Sequence, residues 1–573
     1  MRALFAVLVL FSTAALPAQE TATDIPAPTI RATSRLVLLD VIVADKTGHP
    51  VMDLAARDFS LLQDGKPQRL SIFSVQRPDA PLPVSKDLPP LPAHVYTNRP
   101  EYRIPPGPLT VLLLDALNTP VRDQMYARRE LLEYLRSQLG SGKRMAVLVL
   151  TNQLHLLQDF TGDSELLRRA VEGFIATDSR SLDIEDVEKH LPPPPSDTRG
   201  AAVYRNLVND LRKVLLESAT ASVDARVAQT LAAFRNLAQA LGGVPGRKNL
   251  VWVSGSFPFT FVAESRPAPG DAKEVVAYRD YQRDIRRTIA VLTEAQIAIY
   301  PVDARGLSGA PFMDASHPLK NDMGHVYAGA DLSDDLSRGD TSLESSQAAM
   351  EELAKGTGGL AFVHRNDIDH AVALSVSDAA ACYTLGYDPG EKSDDGQFHS
   401  FLVKVDRPGV RLRYRPGYYA SSPAPPERTG ETGDSELMSV LQAVAMPATR
   451  VIFDARVTPP DSAGKPSVRV ELLVNVDTLS EEPGADGRHY DVDFHIAAFA
   501  PDGSLVAHKD SRVDAHVSAE ENQRLRRQGL PFHTALTLEP GRYQLRIVVR
   551  DNQTGSLGSV EVPVVMEKVK DAN

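Results

Sequence analysis

Leu109-Thr110-Val111-Leu112-Leu113-Leu114-Asp115 is an almost unbroken apolar run that stops at a carboxylate. A strand with one wet face alternates apolar and polar residues. A run without alternation reads as a strand covered on both faces, as in a parallel sheet. Met145 to Leu150, Asn249 to Val253 and Ile297 to Val302 repeat this texture, and Leu360 to Val363 does so weakly. Leu154 to Phe160 follows a Thr-Asn-Gln turn and reads as an antiparallel partner of Met145–Leu150. Helical patterns lie between the runs: Arg122 to Leu139, Asp163 to Phe174, Asp224 to Leu241, Val275 to Ala295, Ser342 to Gly356 and Asp367 to Ala381. In the first of these Met125, Leu132, Leu135 and Leu139 form the apolar side. Strands alternating with helices predict a doubly wound α/β unit over residues 109–381. Open sheets of this kind bind ligands at the carboxyl ends of their strands. Asp115 sits at such an end, and the polar insertions 178–221 and 306–340 are expected to gather there.

Outward from this unit the texture turns to β. Arg35 to Val43, Asp58 to Leu62 and Gln68 to Val75 read as strands of an N-terminal β segment, residues 30–77, with a hairpin at Asp64-Gly65. Ten prolines between 78 and 108 predict a linker, because proline has no N–H to give a ladder. Tyr383 to Tyr387, Phe398 to Val405 and Val410 to Tyr419 read as strands of a second segment, 382–420. Each segment is small, so the two are expected to form one split β domain into which the α/β unit is inserted. Residues 421–449 read as a linker with a short helix, Ser435 to Met446. About seven short strands over 450–567 predict an immunoglobulin-like β-sandwich that folds by itself.

The 573 residues carry 62 Lys+Arg and 74 Asp+Glu, a net charge of −12, which argues against a nucleic-acid partner. Residues 1–18 have the positive start, apolar run and small-residue end of a secretory signal peptide, so the chain is expected to be exported, to the periplasm or beyond. No later stretch is apolar enough to span a bilayer. The one cysteine, Cys382, rules out an internal disulfide and sits in an apolar run as a buried small side chain.

Chemical motifs are sparse. No phosphate loop, dinucleotide fingerprint, His-Glu-x-x-His pair or Gly-x-Ser-x-Gly elbow occurs. The fourteen histidines are scattered without ligand spacing and read as solvated or capping. Ser254 and Ser256 follow a buried strand, where a hydroxyl could act as a nucleophile, but no matched base is evident. Asp115, Asn118 and Thr119 supply oxygens between the first strand and its helix. They suit either a hard divalent ion or a helix cap.

Asp115-x-x-Asn118-Thr119, Gly246 to Gly255, Ile299 to Gly306, Thr357-Gly358-Gly359, Tyr383 to Pro389 and Arg415 to Tyr419 occur in that order. Together they resemble the exported bacterial proteins related to von Willebrand factor A domains, best known from acidobacteria, over roughly residues 30–420. The resemblance implies a central, mostly parallel sheet with helices on both faces, and a protein ligand bound through a metal-dependent adhesion site whose first loop reads Asp-x-Ser-x-Ser. Here Asp115 and Thr119 match, Leu117 replaces the first Ser, Ser254 replaces the later Asp, and Thr177 is the candidate for the later Thr. The site is degraded, leaving at most weak Mg²⁺ binding at Asp115 and Thr119. The expectation is a non-enzymatic protein-binding or scaffold protein, with Asp115, Asn118, Thr119 and Ser254 on its binding face and an unknown protein ligand. The alternatives are a serine hydrolase using Ser254 or Ser256, and a purely structural envelope component.

Overall fold

The computed structural model describes residues 36–77, 88–104, 107–137, 143–176, 198–257, 260–265, 275–305, 344–363, 365, 368–390, 397–420, 446–459, 467–483 and 487–567. The expected signal peptide 1–18, Leu139, Thr177, the first part of insertion 178–221 (178–197), the whole of insertion 306–340 and the helix expected at Ser435–Met446 lie outside the described residues, apart from Met446.

Five strands form the central sheet, in the order Ile297–Asp303, Lys248–Ser254, Leu109–Asp115, Arg144–Leu150, Leu154–Thr161. The first four run parallel and the last is antiparallel. Phe362 makes an isolated parallel bridge to Val302 beyond the other edge. The apolar run at 109–115 needs no alternation because both faces are covered. Leu109, Val111 and Leu113 pack toward the helices Thr198–Leu241, Gln282–Glu294 and 344–357. Leu112 and Leu114 pack toward Val121–Ser137, Ser164–Gly173 and Ile368–Ala380. The result is an α/β fold with mixed sheets and helices.

Three elements depart from the sequence reading. The helix Val121–Ser137 buries Gln124, Ala127, Leu131, Tyr134 and Leu135, while Met125 is exposed. The contact face is one helical step away from the stripe through Met125, because Gln124 is drawn inward by the carbonyls of Ala116 and Thr119. Val275–Asp280 is a strand, paired with Thr260–Ser265, and the helix starts only at Gln282; β-branched Val275 and Val276 favour the extended form. The helix ending at Leu241 begins at Thr198, not Asp224, and so takes up the second half of the insertion 178–221.

Strands from both flanks of the α/β unit share sheets. Val37–Ala44 pairs with Cys382–Tyr387, and Phe59–Gln63 pairs with Phe398–Val405. The two sheets close over one core that includes Leu39, Val41, Leu61, Tyr383, Leu385 and Val403. The turn at Asp64-Gly65 has φ of 49° and 77°, the two positive values a tight hairpin turn requires. The stretch 410–419 is two strands rather than one: Arg411–Arg413 lies in one sheet and Gly417–Tyr419 in the other. Pro416 between them lacks the N–H a continuous ladder needs.

The C-terminal unit has two antiparallel sheets facing each other across an apolar core. One contains Phe453–Thr458, Ser467–Val474 and Leu530–Thr537; the other contains Gly487–Phe499, Leu505–Ser518, Gly541–Asp551 and Leu557–Met566. A helix absent from the sequence reading, Ala519–Gln528, joins two strands and opens on a Ser518/Glu521 capping box. The first sheet takes its edge strand, Val95–Thr97, from the stretch read as linker 78–108. Proline spares 93–99, so those N–H groups can pair, and Asn98 locks the strand through Ala448, Val451 and Phe453. Residues 446–449, read as linker, are likewise docked: Thr449 bonds to Gln239, Ala240 and Gly243 at the end of the long helix.

Candidate functional site

Asp115, Asn118, Thr119 and Ser254 come together at the carboxyl edge of the central sheet, and all four are buried. Asp115 ends its strand and Ser254 ends the neighbouring parallel one, so the two side chains meet there. Asp115 Oδ2 accepts from Ser254 Oγ at 2.8 Å, Trp252 Nε1 at 3.0 Å and Asn118 Nδ2 at 2.8 Å. Asp115 Oδ1 accepts from the Asn118 backbone N–H at 3.0 Å. Four donors therefore converge on one carboxylate that is 2% exposed. Burial pushes the Asp115 carboxyl up from its ordinary value, against the pull of the bonds from Asn118, Ser254 and Trp252.

The surrounding bonds extend the joint. Asn118 Nδ2 also donates to Thr230 Oγ1 at 2.8 Å, which ties the loop to the long helix. Thr119 Oγ1 accepts from the Gly255 N–H at 2.8 Å. Ser256 Oγ donates to the Asn118 carbonyl at 3.3 Å. Leu117 packs partly buried against the core and offers no oxygen. Trp252 and Thr230 were not singled out in the sequence. Trp252 lies in an apolar strand and Thr230 in a helix, and only the packing of that helix on the sheet brings them to Asp115. At the next strand end, Arg305 grips Asp303 with two bonds of 2.9 Å.

The other motifs behind the resemblance converge below the sheet, not at its carboxyl edge. Arg247 donates to Asn249, Tyr300 and the Gly358 carbonyl. Tyr300 donates to Asp378 at 2.7 Å, and Arg413 pairs with the same carboxylate. Thr357 Oγ1 accepts from the Ile299 N–H, and Arg415 reaches the Leu38 carbonyl. Gly359 is required by contact: a Cβ there would stand 1.8 Å from the Ile299 carbonyl oxygen. These residues join the α/β unit to the strands of the flanking β segments. Cys382 is buried there, its thiol pushed up to about 12 by burial.

No family model and no curated protein matches the chain. Its structure is similar to an aerotolerance-related membrane protein of Bacteroides fragilis, at 11% identity over 47% of this chain and 99% of that one, with a TM-score of 0.24. It is also similar to BatB of Bacteroides thetaiotaomicron, at 12% identity over 48% and 99%, with a TM-score of 0.24. The pilus adhesin SpaC of Lactobacillus rhamnosus GG matches at 7% identity over 80% of this chain and 54% of that one, with a TM-score of 0.25. Likeness at these scores is too slight to assign a fold family or an activity. No helix among the described residues is long and apolar enough to cross a membrane.

Proposed function

We propose that this chain is an exported, non-catalytic protein-binding or scaffold protein, in which a von Willebrand A-type unit is carried by a split β domain and followed by an immunoglobulin-like sandwich. The observation that carries this reading is the state of Asp115. Its oxygens are engaged by Ser254, Trp252 and Asn118, and it is buried, so it acts as a joint between loop, sheet and helix. This donor set does not fit Mg²⁺, which wants open oxygen ligands in octahedral array. It does not fit acyl transfer either. The Ser254 hydroxyl is wholly buried, and Ser256 donates to a backbone carbonyl. Neither hydroxyl has a bond to an imidazole among the described residues.

The long helix supports a binding role. Thr230 marks the level of the carboxyl edge, and 32 residues of the helix precede it, roughly 48 Å at 1.5 Å per residue. That stretch exposes Val203, Leu207 and Val214, and exposed apolar side chains in series suit a protein ligand. Two experiments test the reading. A fluorophosphonate probe on the full chain is expected to leave Ser254 and Ser256 unlabelled; labelling abolished by Ser254→Ala or Ser256→Ala overturns it. A photo-crosslinking residue at position 207 is expected to trap a discrete protein in cells, while one at the exposed Val565 does not; equal adducts at both positions count against this face.

A further inference from the structure

The outer face of the C-terminal sheet holds a cluster that the proposed function does not use. Gly487–Phe499 and Leu505–Ser518 pair antiparallel, with His489 opposite His516, Asp491 opposite Asp514 and His495 opposite Asp510. The period of two sends Tyr490, Val492, Phe494 and Ile496 into the core. It turns His489, Asp491, Asp493 and His495 to the other face, beside His508, Asp510, Arg512, Asp514 and His516. The rings of His489 and His516 stack with centroids 4.3 Å apart and planes 15° from parallel. His489 Nε2 lies 2.8 Å from Asp514 Oδ1. One ligand atom from each of His489, Asp514 and His516 lies within 4.8 Å of the others.

We propose that His489, Asp514 and His516 form a surface site for a divalent transition metal of the zinc class. A tetrahedral ion with bonds of about 2.0–2.1 Å holds neighbouring ligand atoms roughly 3.3 Å apart. The 2.8 Å between His489 Nε2 and Asp514 Oδ1 is a hydrogen-bond contact that needs to open by only about half an ångström for an ion to stand between them. Two imidazoles with one carboxylate select Zn²⁺, Ni²⁺ or Cu²⁺ over Mg²⁺ and Ca²⁺, which prefer all-oxygen shells. Asp514 and His516 are exposed, so the remaining coordination positions stay open to water or to a ligand.

The charge around the site suits a cation. Asp491, Asp493, Asp510 and Asp514 share this face with Arg512. Arg512 is itself taken up by Asp491, with bonds of 2.8 and 2.6 Å, and stands 3.6 Å from Asp514 Oδ2. It orients the second carboxylate oxygen and leaves Oδ1 toward the histidines. The ligands sit on two hydrogen-bonded strands, so the backbone stays in place, while the exposed His516 ring must turn out of its stack on His489 to bring its in-plane lone pair to the ion. The neighbouring trio His495, Asp510 and His508 is arranged differently. Each oxygen of Asp510 accepts from one imidazole at 2.7 Å, so the carboxylate separates the two rings. That trio serves as an internal control.

Calorimetric titration of the full chain with ZnCl₂ tests the proposal. Wild type is expected to bind zinc with a component that His516→Ala and Asp514→Asn each weaken at least tenfold, and that His508→Ala leaves intact. Both variant positions are solvent-facing, and an unchanged melting temperature without metal verifies their fold. Co²⁺ is expected to give visible absorption in wild type that His516→Ala loses, and MgCl₂ is expected to give no heat. The proposal is overturned by no zinc uptake in wild type, by equal titrations of wild type and His516→Ala, or by a loss confined to His508→Ala.

Discussion

Asp115 and Lys248 are buried ionisable groups at opposite ends of the central sheet. Asp115→Ala leaves the Trp252, Ser254 and Asn118 donors facing a void, and is expected to cost about 2–4 kcal/mol in thermal or chemical unfolding. Calorimetry with Mg²⁺ is expected to give no heat with either wild type or this variant; tight binding lost on substitution would return Asp115 to the role of a ligand. The pH dependence has a definite sign. Burial raises the Asp115 pKa in the folded state. Its contribution to stability is therefore complete below the unfolded value of about 3.9 and lost as pH rises through the folded value. The melting temperature of wild type relative to Asp115→Asn should fall as pH rises from about 4 toward neutrality, and a relative rise would contradict the assignment. Lys248 has the opposite character. Burial lowers its ammonium to about 7, with Nζ donating to the Val244 carbonyl at 2.5 Å. Its contribution is present above the unfolded value of about 10.4 and lost as pH falls through about 7. Lys248→Met should raise the melting temperature at pH 6, with the gain fading by pH 10.

At the scale of elements, the strand Val95–Thr97 shows how a Pro-rich stretch can still complete a sheet. Three bonds from the Asn98 side chain hold it to 448–453. Asn98→Ala should cost about 2–3 kcal/mol in the C-terminal unit, seen as an earlier melt of the near-ultraviolet signal. For the same reason, a fragment 450–567 lacks part of its sheet, and adding a synthetic peptide of residues 92–99 in trans should raise its melting temperature. The long helix behaves differently along its length. From Val223 onward it contributes to the core of the α/β unit, whereas Val203, Leu207 and Val214 face solvent. Leu207→Asp is therefore expected to change stability by no more than about 0.5 kcal/mol.

Polar contacts join the C-terminal unit to the α/β unit. Gln239 accepts from the Leu557 N–H and donates to the Gly555 carbonyl, and Arg450 pairs with Glu294 at 2.7 Å. Gly243 meets the Thr449 carbonyl so closely that a Cβ would stand 2.1 Å away. The C-terminal unit is docked on the α/β unit through these residues. Scanning calorimetry of Gln239→Ala combined with Arg450→Ala should resolve a separate, earlier transition for the C-terminal unit. A single transition identical to wild type would show that these contacts do not couple the two.

The strands of the central sheet were legible because burial on both faces leaves an apolar run that no surface element tolerates. The turn at Asp64-Gly65 was legible because positive φ at two successive positions restricts the residues that can stand there. The grouping of Asp115, Asn118, Thr119 and Ser254 could be expected, since strand ends of a parallel sheet share one edge. What their oxygens do could not, because it depends on Trp252 and on Thr230, 115 residues along the chain from Asp115. The histidines looked scattered because coordination spacing in sequence belongs to helices and tight turns. His489 and His516 meet through strand register, and the only sequence trace is the alternation of His and Asp at period two in 489–495 and 508–516. Local pattern thus determined the strands and most of the helices, since those answer to burial and turn geometry within a few residues. Only the tertiary structure decided which carboxylates are consumed, which strand completes which sheet and which side chains become neighbours, since those depend on contacts far apart in the chain.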